Sequence, residues 1–187
     1  MATPKGQRIG IWIIVIVMSV GTVGTYFALA LGNDNDEKQS QENKKAMDDY
    51  YALIKDQAKA NQALSGYEAT KFDAASVTEL KQEDLVTGEG QEVKLNDKIK
   101  VSYTGWVPDG TIFDSTTKSN TNTPAEFTLS AGSLIDGWIA GIPGMKVGGV
   151  RKLTIPADQA YGATGSEPLI APNTPLQFLV RVESVSQ

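Results

Sequence analysis

The sequence predicts an α+β domain over residues 76–187, an antiparallel sheet with one short amphipathic helix. Three patterns carry that prediction. In 98–103, Ile99, Val101 and Tyr103 alternate with Lys98, Lys100 and Ser102; in 176–183, Leu176, Phe178, Val180 and Val182 alternate with Gln177, Arg181 and Glu183. A period of two turns one face of each strand to a core. Ile135, Trp138, Ile139 and Ile142 recur instead at i, i+3, i+4 and i+7, which is one face of a helix, and Pro143-Gly144 ends it. Seven of the eight prolines lie between Pro108 and Pro175, and twelve of the eighteen glycines follow Ser76, as in a chain that turns often.

In chain order, residues 1–8 are a short N-terminus bearing Lys5 and Arg8. Residues 9–32 are free of charge and long enough to cross a hydrocarbon core, which takes roughly 20 apolar residues. Cations before this run and Asp34, Asp36 and Glu37 after it predict a single-pass anchor in the cytoplasmic membrane, N-terminus inside and the remainder outside. Ala28-Leu29-Ala30 has the small-x-small form of a cleavage site, so the alternative is a signal peptide cut near Ala30 and a secreted product. Either way, the remainder is exported.

Residues 33–75 read as a polar linker. Met47, Tyr50, Tyr51, Ile54 and Ala58 recur at helical spacing and predict a helix over 41–64. Its apolar seam is interrupted by Gln57 and Asn61, which leaves a solvated helix or a short coiled-coil stalk open. Gly66 and the residues after it read as loop. Ser76-Val-Thr-Glu79 has the form of a capping box and competes with a strand over 80–86. Further strands are predicted over 111–114, 126–130 and 150–155, with the Pro108-Asp109-Gly110 turn before the first.

Composition narrows the chemistry. The chain has no histidine and no cysteine, so thiol nucleophiles, imidazole bases, disulfides and ordinary zinc centres are excluded. A net charge of −5 argues against a nucleic-acid partner. No phosphate loop, dinucleotide fingerprint or nucleophile elbow occurs, and no metal or cofactor is expected. What remains is a set of aromatics near glycines: Tyr103, Trp106, Phe113, Phe127, Trp138, Tyr161 and Phe178, with Asp114 directly after Phe113. Physical pattern alone reads these rings as core rather than as a site, and Asp114 as a turn residue or cap.

Four blocks resemble the FKBP family of peptidyl-prolyl cis-trans isomerases. Val101-Ser-Tyr-Thr-Gly-Trp-Val-Pro-Asp-Gly-Thr-Ile-Phe-Asp-Ser115 is similar to the family's Y-T-G strand, D-G turn and F-D-S strand. Leu134-Ile-Asp-Gly-Trp138 is similar to its helix start, Gly141 to Pro156 to its stretch ending R-x-L-T-I-P, and Ala160-Tyr-Gly-Ala-Thr-Gly165 to its A-Y-G loop. The blocks stand in family order across about residues 76–187.

That resemblance implies a strongly bent antiparallel sheet wrapped over one short helix, with a pocket between them. It places Asp114, Tyr161 and Tyr103 in catalytic positions, and Phe113, Leu134, Ile135, Trp138, Leu169, Ile170 and Phe178 in substrate-binding ones. It implies proline-containing polypeptide substrates, macrolide inhibitors of the FKBP class, and an enzyme that accelerates X–Pro rotation; with the predicted anchor, its substrates are expected to be exported proteins. The chain departs from the pattern at Ala125, where the family often has an aromatic, at Ser166, where some members have histidine, and in a longer 116–124 loop. No insertion in 161–178 suggests a chaperone flap. The alternatives are a proline-directed binding or chaperone module with little turnover, and a stalked interaction protein using the 41–64 helix.

Overall fold

A computed structural model of the chain describes residues 37–186. The predicted N-terminus and anchor, residues 1–8 and 9–32, lie outside the described residues. Among the described residues, no helix is long and apolar enough to cross a membrane. The chain forms two compact units: one holds the helix up to Lys55 together with Ser166–Leu169, the other Asp56–Gly165 with Ile170 onward.

The first unit is built on helix α1, Glu37–Ala58. Met47, Tyr50, Tyr51 and Ile54 are half-buried, as their helical spacing predicts, whereas Leu53 is exposed. Burial first, and then Glu167, raises the Tyr51 hydroxyl above its ordinary pKa. The helix starts earlier and stops earlier than the predicted 41–64. Lys59 and Ala60 donate back to the carbonyls of Asp56 and Gln57, closing the last turn, and strand β1 (Asn61–Gln62) follows at once.

The second unit contains β2 (Lys81–Val86), β3 (Lys98–Trp106), β4 (Ile112–Ser115), β5 (Thr117–Lys118), β6 (Thr121–Asn122), β7 (Ala125–Thr128), β8 (Val150–Ile155) and β9 (Leu176–Ser186). Its main sheet runs β2-β8-β9-β3-β4, with β7 also on β3, and every pairing is antiparallel. One edge of β3 is shared: β7 takes residues 98–101 and β4 takes 104–106. Register shifts at Lys100/Val101, Gly105/Trp106 and Asp84/Val86 break the ladders, and such irregularities bend strands. A second, small sheet joins β1, β5 and β6.

The bent sheet wraps over the short helix α2, Asp136–Gly141. Helix and sheet approach closely because Gly137 has no side chain; a Cβ there would collide with Ile155 on β8. Asp136 complements the positive end of the helix. At the other end Arg151 Nη1 donates to the Gly141 carbonyl at 2.8 Å, satisfying one of the orphan acceptors that every helix terminus leaves. The same guanidinium grips Asp84 on β2 at 2.6 and 3.0 Å and, chiefly through that hydrogen bonding, lowers the Asp84 pKa.

Two expectations are corrected here. The Ser76–Glu79 capping box is not used: Asp73 caps a single 3-10 turn, Ala74–Ser76, and the chain then enters β2. Residues 60–72, placed in the linker, pack on the sheet instead. Leu64 is buried with Trp106, Val150 and Leu179, flanked by Tyr67, Ala69, Phe72 and Ile112. This covering explains why Thr104, on the polar phase of the β3 alternation, is fully buried: its Oγ1 accepts the Leu64 N–H at 2.9 Å. Ser102, on the same phase, is buried too, donating to Glu183 at 2.6 Å and accepting from Asn122 at 2.8 Å. Polar groups buried with partners in this way avoid the cost of desolvation alone.

Candidate active site

The site is an aromatic cluster centred on Trp138. Its ring stands edge-on to three others: Tyr103 at 5.2 Å, Phe178 at 5.3 Å and Phe127 at 5.5 Å between centroids, all within ten degrees of perpendicular. Phe113 meets Phe178 the same way at 5.5 Å. Edge-to-face pairs set the positive ring rim against the negative ring face and add about 0.5–1.5 kcal/mol each beyond area burial. Five separate elements supply the rings: β3, β4, β7, α2 and β9. Tyr103, Phe113, Trp138 and Phe178 are each at most 4% exposed, so rigid walls bound the site.

Gly105 makes this packing possible. It lies opposite Asp114 in one ladder and Phe178 in the next. A Cβ at Gly105 would stand 2.5 Å from a Phe178 ring carbon and 2.7 Å from Phe113 Cζ.

One carboxylate sits among the rings. Asp114 is 6% exposed; it accepts the Tyr103 hydroxyl at 2.5 Å on one oxygen and the Ser115 N–H at 2.8 Å on the other. Lys118 Nζ stands 3.6 Å away. Burial raises the Asp114 pKa, and the hydrogen bonds and Lys118 offset only part of that rise. The half-buried Tyr161 is pushed up to about 12 by desolvation, with the Asp114 charge adding to it. Tyr103 is driven well above its ordinary value by the same two causes in the same order. Both phenols therefore remain hydrogen-bond donors at any physiological pH. Trp138 Nε1 is buried without an acceptor among the described residues.

Of the residues assigned from the sequence, Tyr103, Phe113, Asp114, Trp138 and Phe178 come together in this cluster, with Tyr161 close enough to feel Asp114. Ile135 is the cap of α2, and Leu134 precedes it; both are half-buried. Ile170 is buried in the same unit. Leu169 falls in the other unit, with Ser166–Leu169. Sequence reasoning passed over three participants. Phe127 was counted among the aromatics without a role. Lys118 carries no local signal beyond lying four residues after Asp114. Asn61, whose Nδ2 donates to the Phe113 carbonyl at 3.0 Å, was read as the end of a helix.

Residues 89–183 match the family model described as "FKBP-type peptidyl-prolyl cis-trans isomerase". The chain belongs to that family. Its sheet-and-helix unit is thus an FKBP-type peptidyl-prolyl cis-trans isomerase domain. An FK506-binding protein of Neisseria meningitidis serogroup A is 45% identical over 103 residues, 55% of this chain and 93% of that one. FK506-binding protein 4 of Dictyostelium discoideum is 44% identical over 108 residues, but these are only 29% of its length. Among solved structures, a peptidyl-prolyl cis-trans isomerase of Pseudomonas syringae is 29% identical with a TM-score of 0.52, covering 83% of this chain and all of that one. AtFKBP13 is 34% identical with a TM-score of 0.52, covering 57% of this chain and 93% of that one.

Proposed function

We propose that this protein accelerates rotation about X–Pro bonds in exported polypeptides through an apolar pocket that favours the twisted amide. An X–Pro amide resists rotation by roughly 18–20 kcal/mol because twisting breaks its resonance. Its two planar forms differ by about 1 kcal/mol, so only the rate needs help. Resonance places negative charge on the planar carbonyl oxygen, where water stabilises it; at the twist that charge shrinks. A dry, ring-walled site withholds that solvation and so disfavours the planar state more than the twisted one. No proton has to be transferred, which suits a chain with no histidine.

The observation that carries this reading is the buried Tyr103–Asp114 pair set among the edge-on rings around Trp138. In our reading Trp138 is the floor under the proline ring, with Phe113, Ile135 and Phe178 as walls. Leu134 and Ile170 extend the apolar rim. The Tyr161 hydroxyl and the Ile135 backbone N–H hold substrate carbonyls, and Asp114, oriented by Tyr103, lies beside the rotating bond. The relatives named for FK506 support a macrolide of that class as a ligand. The charge-free run over residues 9–32, behind Lys5 and Arg8, supports a membrane anchor with the domain outside, where slow X–Pro isomerisation limits the folding of exported chains.

The test is an isomerisation assay of the full chain on an X–Pro peptide, with and without FK506. Rate enhancement that FK506 abolishes supports the reading. Binding of FK506 without rate enhancement favours a proline-directed binding module instead. Protease accessibility of the domain in intact cells tests the outward orientation.

A further inference from the structure

The segment Ala60–Leu64 precedes the residues that the family model matches, yet it is bonded to the residues on both sides of Asp114. Before that carboxylate, Asn61 Nδ2 donates to the Phe113 carbonyl at 3.0 Å. After it, Ser115 Oγ donates to the Gln62 carbonyl at 2.6 Å. Asn61 and Gln62 then pair with Lys118 and Thr117 on β5, so the same two residues set the strand that presents the Asp114 counter-ion. Ala60 accepts the Ser119 N–H at 3.1 Å and Gln62 Oε1 the Asn120 N–H at 2.8 Å, tying the start of the following loop as well. Leu64 anchors the segment in the core below, its N–H bonded to Thr104.

β4 needs such support. It is an edge strand of four residues, and its ladder to β3 is already irregular at Gly105/Trp106. A short edge strand has little of its own to hold a side chain still. Packed side chains and a supporting shell of hydrogen bonds are what keep a reacting group within a fraction of an ångström of its working place.

We propose that Asn61 is a positioning residue for the isomerase site, with the Ala60–Leu64 segment acting as a clamp that holds Phe113, Asp114 and Lys118 in working geometry. This rests on the isomerase reading above. Asn61 does not touch substrate; it acts through the Phe113–Asp114 backbone. Misplacement by as little as an ångström lowers rate far more than it lowers stability.

The test uses the full chain carrying Asn61→Ala or Asn61→Asp, the latter equal in size but without the donor. Each is expected to lower kcat on an X–Pro peptide about tenfold with little change in KM, at a temperature well below unfolding as followed by circular dichroism. Wild-type kcat in both folded variants overturns the proposal. So does a loss that merely tracks the unfolded fraction. If the wild-type chain gives no rate enhancement, the isomerase reading fails by itself. FK506 binding, followed by tryptophan fluorescence, then decides the clamp: weakened binding in both variants supports it, and unchanged binding overturns it.

Discussion

The Tyr103 hydroxyl donates to the Asp114 carboxylate at 2.5 Å in a site where neither residue is more than 6% exposed. A carboxylate there has lost its water and received two short hydrogen bonds and a distant lysine in exchange. Its raised pKa says that the exchange is incomplete. The folded protein therefore binds a proton at Asp114 more readily than the unfolded chain does. Between the ordinary carboxyl pKa and the raised one, stability falls as pH rises.

Asp114→Asn removes that penalty while keeping the shape. The variant is expected to melt higher than wild type at pH 7, with the advantage fading as pH falls below the ordinary carboxyl pKa of about 3.9, where the wild-type carboxyl becomes protonated folded and unfolded alike. Its kcat/KM should nevertheless fall. Thermal melts across pH check the first statement, and an equal or lower melting point at pH 7 refutes it.

Trp138→Leu takes away the ring that meets Tyr103, Phe127 and Phe178. We expect a folded domain whose kcat/KM and FK506 affinity fall about tenfold or more, since each tenfold is roughly 1.4 kcal/mol of lost contact. Unchanged kcat/KM would remove Trp138 from the floor of the site.

Tyr161→Phe deletes a donor and nothing else. A single neutral hydrogen bond is worth about 1 kcal/mol, hence about fivefold in substrate or FK506 affinity. With its pKa pushed up to about 12, Tyr161 should also show no phenolate absorbance at pH 10 in the folded protein. Ultraviolet difference titration against the Phe variant reads this directly.

Gly105→Ala introduces a methyl into the contact between Phe178 and Phe113. Overpacking of this kind costs about 1–3 kcal/mol. Because both rings belong to the site, activity should drop together with the urea midpoint. Full activity in a destabilised variant would show that the rings need not hold these positions.

Leu64→Ala empties a core position that the sequence reading assigned to a helix end. Loss of such a side chain costs about 2–5 kcal/mol. A urea midpoint equal to wild type would mean that residues 60–72 contribute nothing to the domain.

The fold was legible where burial is one-sided. Ile99, Val101 and Tyr103 announce β3 because their face alone meets the apolar core, and Ile135, Trp138 and Ile142 announce α2 for the same reason. Legibility failed where a second layer covers a polar face. Ser102 and Thr104 look solvent-facing but are buried against Glu183 and the Leu64 segment. That segment itself carries only Leu64, Tyr67 and Phe72 as scattered apolar residues, with no period to mark it. At the site, the rings and Asp114 were found through resemblance. Asn61 and Lys118 were not, since they reach Asp114 through pairings 52 and four residues apart that no local pattern encodes.

The position of β9 between β8 and β3 bears on how the domain is made. Translation delivers β3 and β8 long before the eleven residues of β9. Until those appear, the strands that will flank it have two open edges and no partner between them, and Leu64 and Trp106 wait for Leu179 to close their cluster. The growing chain therefore exposes sticky strand edges until β9 is made, and the sheet closes only then. A nascent chain stalled before Leu176 should need a holding chaperone of its own.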